Sequence, residues 1–161
     1  MKDLVAIAEQ IAAKLIERKE TVAVAEGSAG GLISAALLAV PGASAYFLGG
    51  AVVYTRDARR ILMDIPDDAM KGIRSASEPY AKLLASQMRT RFSTDWGLSE
   101  TGATGPTGNR YGDAAGHSCI GIAGLEPSAM TLETGSADRL ANMHVFASTA
   151  LNFFLQNLSR V

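Results

Sequence analysis

The chain has 161 residues, of which 48% are hydrophobic and 19% charged, and its formal net charge is −1. This is the composition of one globular domain large enough to bury its own core, not of a disordered chain. The near-neutral balance excludes a broad electrostatic surface for nucleic acid, and no apolar run is uninterrupted for the roughly 20 residues of a membrane span. The single cysteine, Cys119, leaves no internal disulfide and reads as a buried structural thiol. Without a disulfide framework or a signal peptide, the expected compartment is the cytoplasm.

Residues 1–18 space Leu4, Val5, Ile7, Ala8, Ile11, Ala12, Leu15 and Ile16 along one side of a helix. A β-branched run over 21–25 predicts a strand, and the apolar stretch 31–40 a helix packed on a sheet and stopped by Pro41-Gly42. Residues 46–54 read as a second strand, in which Gly49-Gly50 marks a bulge or a close approach. A short helix follows over 56–63. Ser75 and Glu78 have capping-box spacing, and Pro79 suits the first turn of a helix carrying Tyr80, Leu83, Leu84 and Met88. Residues 95–101, 117–123 and 130–134 read as strands. Ser136 is expected to cap a long last helix bearing Leu140, Met143, Ala147, Leu151, Phe154 and Leu155. The alternation predicts an α/β fold, a three-layer α/β/α sandwich with a mixed sheet, as one domain over residues 1–161.

Two glycine-rich turns carry the candidate chemistry. Ala25-Glu26-Gly27-Ser28-Ala29-Gly30-Gly31 lies between an apolar strand and an apolar helix, and Glu100 to Gly108 follows a later apolar run. Such turns aim backbone N–H groups and a helix dipole at a phosphate, a carboxylate or a developing oxyanion. Taken alone, Gly30 and Gly31 are equally explained by tight strand-to-helix packing. The pair together predicts a small-molecule pocket at the edge of a sheet. Neither turn has a dinucleotide fingerprint or the Lys-Ser/Thr end of a P-loop. No His, Cys and acidic cluster has metal-ligand spacing, and no G-x-S-x-G elbow supports a serine triad. His144 reads as helix packing. His117, beside the irregular stretch 105–116, reads as packing or as a site residue. Arg56, Arg59 and Arg60 form a local basic cluster suited to one phosphorylated metabolite.

Several segments are similar to motifs of one family. Glu26-Gly27-Ser28-Ala29-Gly30-Gly31 is similar to a Glu-Ser-x-Thr-Gly-Gly turn, and Pro41-Gly42-Ala43-Ser44-Ala45-Tyr46-Phe47 to a Pro-Gly-Ser-Ser-x-x-Phe segment. Gly49-Gly50 and Tyr54 match a Gly-Gly-x-x-x-Tyr strand, Thr101-Gly102-Ala103-Thr104-Gly105-Pro106 a Thr/Ser-Gly-Ile-Ala-Gly-Pro turn, and Asp138-Arg139 a Gly-Asp-Arg segment. In this order the motifs resemble the C-terminal domain of the CinA (competence/damage-inducible) family, whose characterised members include nicotinamide mononucleotide deamidases. The resemblance implies a metal-independent, cofactor-free hydrolysis of a carboxamide, with nicotinamide mononucleotide the leading substrate. A hydroxyl would attack, backbone N–H groups would hold the oxyanion, and ammonia or an amine would leave.

Deamidating members resemble one another in using the serine after the glutamate as nucleophile and a lysine on the helix after the tyrosine as base. Here those positions hold Gly27 and Arg59. Glycine has no side chain to attack with, and arginine stays protonated at neutral pH. Three readings stay open. Ser28 has taken the nucleophile's place, with Tyr54, Thr101 or His117 helping proton transfer; or the domain binds an anionic metabolite without hydrolysing it; or Gly27 is an engineered loss of a serine. The additional differences, Ala29 for threonine and the insert 109–116, favour a divergent branch. The residues expected at the reaction are Ser28, Gly27, Arg59 and Tyr54. Those expected to bind substrate are Glu26, Ala29, Gly30, Gly31, Arg56, Thr101, Gly102, Thr104, Gly105 and Arg139, with Glu26 orienting the turn and the arginines holding an anionic group. The expected partners are a small anionic substrate and further copies of the chain, since Phe153, Phe154 and Leu155 occupy adjoining sides of the last helix. Neither nucleic acid nor membrane is expected, and a purely structural domain is the remaining class.

Overall fold

The run VAVAE forms strand β1 (Val22–Glu26), and all its residues are buried, as required of a strand covered on both faces. Its side chains alternate between two apolar clusters. Val22 and Val24 join one, with Leu4, Ile33, Leu98, Ile120, Phe146 and Leu151. Ala23 and Ala25 join the other, with Val53, Met63, Tyr80, Leu84 and Met88. The computed structural model describes residues 1–161.

Strand β2 (Phe47–Val52) and strand β3 (Trp96–Ala103) flank β1, both parallel to it. Strands β4 (His117–Ala123) and β5 (Ser128–Glu133) continue the sheet as an antiparallel meander, giving the order β2-β1-β3-β4-β5. Helices α1 (Lys2–Arg18), α2 (Leu32–Leu38) and α5 (Arg139–Ser159) cover one face. Helices α3 (Arg56–Met63) and α4 (Glu78–Phe92) cover the other. The expected three-layer α/β/α sandwich with a mixed sheet is what forms. Helix α1 packs along α5, and Phe154 is fully buried with Phe153 and Leu155 packed against the same cluster. The apolar sides of α5 that suggested self-association are therefore largely covered within the chain.

Small residues set the spacing on the α4 face. A Cβ at Gly97 would lie 2.0 Å from the Ala85 carbonyl oxygen, and one at Gly121 2.3 Å from that of Ala81. Only glycine lets α4 sit that close to β3 and β4. Gly49-Gly50 meets both readings of a strand glycine. The β1–β2 register shifts beside it, and a Cβ at Gly50 would lie 2.4 Å from Ser34 Oγ.

Two caps fall two residues beyond their expected positions. Helix α4 is capped by Ser77, whose hydroxyl accepts from the Tyr80 N–H, and not by Ser75. Helix α5 is capped by Asp138, which accepts from the Ala141 N–H, while Ser136 Oγ accepts from Asp138 N–H in the turn before it. No helix is long and apolar enough to cross a membrane.

The three parallel strands place their carboxyl ends together. After β1 the chain leaves toward the α2 layer, and after β2 toward the α3 layer. A crevice opens where neighbouring parallel strands send their connections to opposite faces.

Candidate active site

The first glycine turn begins at Glu26, the last residue of β1, and is held by two fully buried carboxylates. Glu26 Oε1 accepts from the N–H groups of Gly31 and Ile33 at 2.8 and 3.1 Å. Its Oε2 accepts from the N–H and the hydroxyl of Ser34, each at 2.8 Å. Glu26 thus caps α2, whose own cap residue, Gly31, has no side chain to do so.

Glu100 lies opposite Glu26 in the β1–β3 register. Its Oε2 accepts from Gly27 N–H at 3.1 Å and Ala29 N–H at 2.8 Å. Its Oε1 accepts from the Ser28 hydroxyl at 2.5 Å and the Ser118 hydroxyl at 3.0 Å. Burial pushes the Glu100 carboxyl above the ordinary carboxylate range, against the opposing effect of its hydrogen bonds to Ser28, Ala29 and Ser118; nearby Glu26 adds to the rise.

These bonds change the expected picture of the turn. The N–H groups of Gly27, Ala29, Gly31, Ile33 and Ser34 are engaged by the two glutamates, and those of Gly30 and Leu32 by the carbonyls of Gly27 and Ala29. Within residues 27–34 only Ser28 keeps an N–H without a protein acceptor. The helix end expected to face a ligand is occupied by the chain's own carboxylate.

Outside the carboxyl ends of the parallel strands lies a cleft of about 960 Å³. Gly27 and Ser28 reach it from the turn, Tyr54 and Thr55 from the β2–α3 connection, and Thr101 and Gly102 from β3. Its lining includes five arginines, Arg56, Arg59, Arg60, Arg74 and Arg110, against two aspartates, so it favours an anion. A smaller cavity of about 230 Å³ is lined by Ser28, Tyr54, Gly102, Thr104, Gly105 and Arg139, among others. Ser28, Tyr54, Gly102 and Asn109 belong to both.

The arginines differ in how free they are. Arg59 is buried; its Nε donates to the Ile65 carbonyl at 3.2 Å and its guanidinium pairs with Asp67. Arg60 donates to the same Asp67 at 2.6 Å and to Asp57 at 3.1 Å. Arg74 grips Asp113 through both terminal nitrogens, at 2.6 and 3.1 Å, and lies 5.4 Å from the Tyr111 ring centre. Arg110 lies 5.0 Å from the same centre and donates to the Tyr111 hydroxyl. Arg139 donates to the Gly105 carbonyl at 2.6 Å and to the Tyr54 hydroxyl at 3.1 Å. Arg56 is exposed and makes no ion pair.

The structure therefore brings Gly27, Ser28, Tyr54, Arg56, Arg59, Thr101 and Gly102 to one cleft, with Thr104, Gly105 and Arg139 at the adjoining cavity. Thr101 Oγ1 is engaged as the acceptor of the Ala76 N–H. Glu26, Ala29, Gly30 and Gly31 line neither space. They build the turn, and Ala29 packs in the core. His117 is held between Glu133 at Nδ1 (2.5 Å) and the Ala76 carbonyl at Nε2 (2.7 Å) and lines neither cavity. Cys119 is buried, which pushes its thiol up and leaves it unreactive. His144 pairs with Asp3, linking α5 to α1. Tyr80, at the cleft, is pushed up to about 12 by burial and stays protonated at neutral pH.

Sequence reading gave no role to Glu100, Arg74, Arg110 or Tyr111. For Glu100 a signal existed: an ionisable residue inside an otherwise buried strand requires partners.

A family model for the CinA C-terminal domain matches residues 4–158. A CinA-like protein of Synechococcus sp. (strain CC9902) is 39% identical over 110 residues, covering 68% of this chain and 26% of the relative. A CinA-like protein of Chlorobaculum tepidum is 35% identical over 162 residues, covering 98% of this chain and 38% of the relative. The chain thus spans well under half the length of these curated relatives. Among solved structures, a competence-damaged protein (CinA) superfamily protein from Klebsiella pneumoniae 700603 superposes with a TM-score of 0.91 at 20% identity, over 98% of this chain and 99% of that one. The competence/damage inducible protein CihA of Agrobacterium tumefaciens superposes with a TM-score of 0.88 at 24% identity, over 98% and 96%. These likenesses establish the fold, and with the family match over nearly the whole chain, the protein belongs to the CinA C-terminal domain family.

Proposed function

We propose that the domain hydrolyses the carboxamide of a small anionic metabolite, with nicotinamide mononucleotide the leading substrate and Ser28 the attacking hydroxyl. The observation that carries this reading is the position of Ser28. Ser28 lines both cavities, and its N–H is the one left unpaired in the turn. That N–H can receive a developing oxyanion on a carbonyl attacked by the same residue. Arg56, the least engaged guanidinium of the cleft, holds the anionic part of the substrate, and Arg139 with Tyr54 closes the smaller cavity. Arg59 is a wall residue braced on Asp67.

The test is ammonia release from nicotinamide mononucleotide by the protein, by Ser28→Ala and by Gly27→Ser. Turnover by the protein that falls at least a hundredfold in Ser28→Ala supports the proposal. No turnover by the protein, together with turnover by Gly27→Ser, would replace it with a deamidase disabled at Gly27. A second reading, binding without hydrolysis, is favoured by the absence of a side chain at Gly27 and the engagement of Arg59 by Asp67. It predicts a rise in melting temperature with ligand and no product from any variant.

A further inference from the structure

We propose that Glu100 is the proton acceptor for Ser28, so that the reactive unit is a serine–carboxylate pair with neither histidine nor lysine. This deepens the amide-hydrolysis reading and rests on it for the substrate. Ser28 Oγ donates to Glu100 Oε1 at 2.5 Å, and both residues are buried. The other candidates are committed elsewhere or cannot accept a proton. Tyr54 takes a hydrogen bond from Arg139, Thr101 from Ala76 N–H, and both ring nitrogens of His117 face Glu133 and Ala76. The cleft contains no lysine, and a guanidinium such as that of Arg59 has no lone pair free to act as an acceptor.

Glu100 is also held in one place. Gly27 and Ala29 N–H fix Oε2, and the Ser118 hydroxyl shares Oε1 with Ser28. The carboxylate is therefore oriented toward Oγ before any substrate arrives. The ionisable group bearing on it is Glu26, at the paired position of β1; β4 and the turn contribute the uncharged hydroxyls of Ser118 and Ser28. A desolvated carboxylate beside another is a stronger base than one in water, which suits it to accept the serine proton.

The steps balance with water as the only co-reactant. The Ser28 hydroxyl proton passes to Glu100 as Oγ bonds the carboxamide carbon. The tetrahedral intermediate collapses, the C–N bond breaks, and ammonia leaves with the proton held by Glu100. Water then gives a proton to Glu100 and its oxygen to the ester carbon. The C–Oγ bond breaks, Ser28 recovers the proton, and the carboxylic acid product is released.

The experiment avoids dependence on the substrate. Diisopropyl fluorophosphate phosphorylates an activated serine, forming P–Oγ and releasing fluoride, with the serine proton passing to the base. Labelling of Ser28 is followed by intact mass across pH 4 to 9, with Ser28→Ala as the blank. The rate is expected to rise with pH through a midpoint above the ordinary carboxylate range and then level off. Glu100→Gln should label at least a hundredfold more slowly. Because that variant also disturbs the Gly27 and Ala29 contacts, Ser118→Ala gives an independent arm. Loss of its hydrogen bond destabilises the Glu100 carboxylate, so the midpoint should move to higher pH while the plateau persists. A purely structural role for Glu100 would leave that midpoint in place. No labelling of Ser28 in the unaltered protein, an undiminished rate in folded Glu100→Gln, or an unmoved midpoint in Ser118→Ala would each overturn the proposal. Labelling that depends on Glu100 without hydrolysis of nicotinamide mononucleotide would overturn the substrate reading and leave the pair standing.

Discussion

Removing the Glu26 carboxylate would strip three backbone N–H groups and one hydroxyl of their acceptor at the start of α2. Two of these donors cannot be recovered by the cap residue, because Gly31 has no side chain. Glu26→Ala should therefore cost about 3 kcal/mol, the upper range for a lost cap combined with unpaired buried donors, read as a lower midpoint in urea unfolding. By contrast, Gly27→Ser should fold nearly as well as the unaltered chain. A Cβ there would meet the Val53 carbonyl at 3.1 Å, a contact relieved by a few tenths of an ångström, and the backbone at Gly27 is not in the left-handed region. The role of Glu26 was legible in the sequence, since a glutamate directly before a glycine turn is within reach of the following N–H groups. Glu100 was not. Its bonds to Gly27, Ser28 and Ala29 span more than seventy residues and exist only once β1 and β3 pair in register. No local pattern encodes that pairing.

At the scale of elements, α3 and the short 3₁₀ turn Asp67–Met70 form one wall of the cleft, joined by Arg59. The guanidinium spans the Ile65 carbonyl and the Asp67 carboxylate at once, which the single ammonium of a lysine cannot do in the same geometry. Arg59→Lys should loosen the 64–70 segment by about 1 kcal/mol, a modest figure because Asp67 is largely exposed. Hydrogen exchange of the amides in 65–70 should accelerate several-fold, with the amides of β1 and β3 unchanged. The sequence placed α3 at its observed bounds because helix periodicity is a local feature, whereas Arg59 was expected at the pocket only through the resemblance to the CinA motifs. It missed the two caps for a related reason. The segments before α4 and α5 each offer two polar residues two apart, and tertiary contacts choose between them. Ser136 is drawn into the Thr134–Asn142 network, leaving Asp138 to meet Ala141 N–H.

Across the whole molecule, one pH-dependent tie links the meander to the cleft. The His117 ring faces a carboxylate at Nδ1 and a carbonyl at Nε2, both acceptors, so the doubly protonated ring is the form that satisfies both contacts. Burial alone would lower its proton affinity; Glu133, the Ala76 carbonyl and Asp113 outweigh burial and raise it above the ordinary 6.5. The unfolded chain holds this proton less tightly. The stabilisation is thus complete below about pH 6.5 and is lost as pH rises through the higher folded value. Calorimetry from pH 5.5 to 8.5 should show a falling melting temperature, and His117→Gln should start lower and show a shallower fall. The affected ties are those of β4 to β5 and to Ala76, on the segment that also presents Arg74 to the cleft.

A concave array of backbone N–H groups ordinarily waits for an anion from solution, yet here the anions are tethered to the chain as Glu26 and Glu100. The glycine turn is a self-liganded nest, filled before any metabolite enters except at the Ser28 N–H. Its specificity for charge is thereby transferred outward to the guanidinium rim, and the nest meets the cleft at Gly27 and at Ser28, the residue that keeps a free N–H.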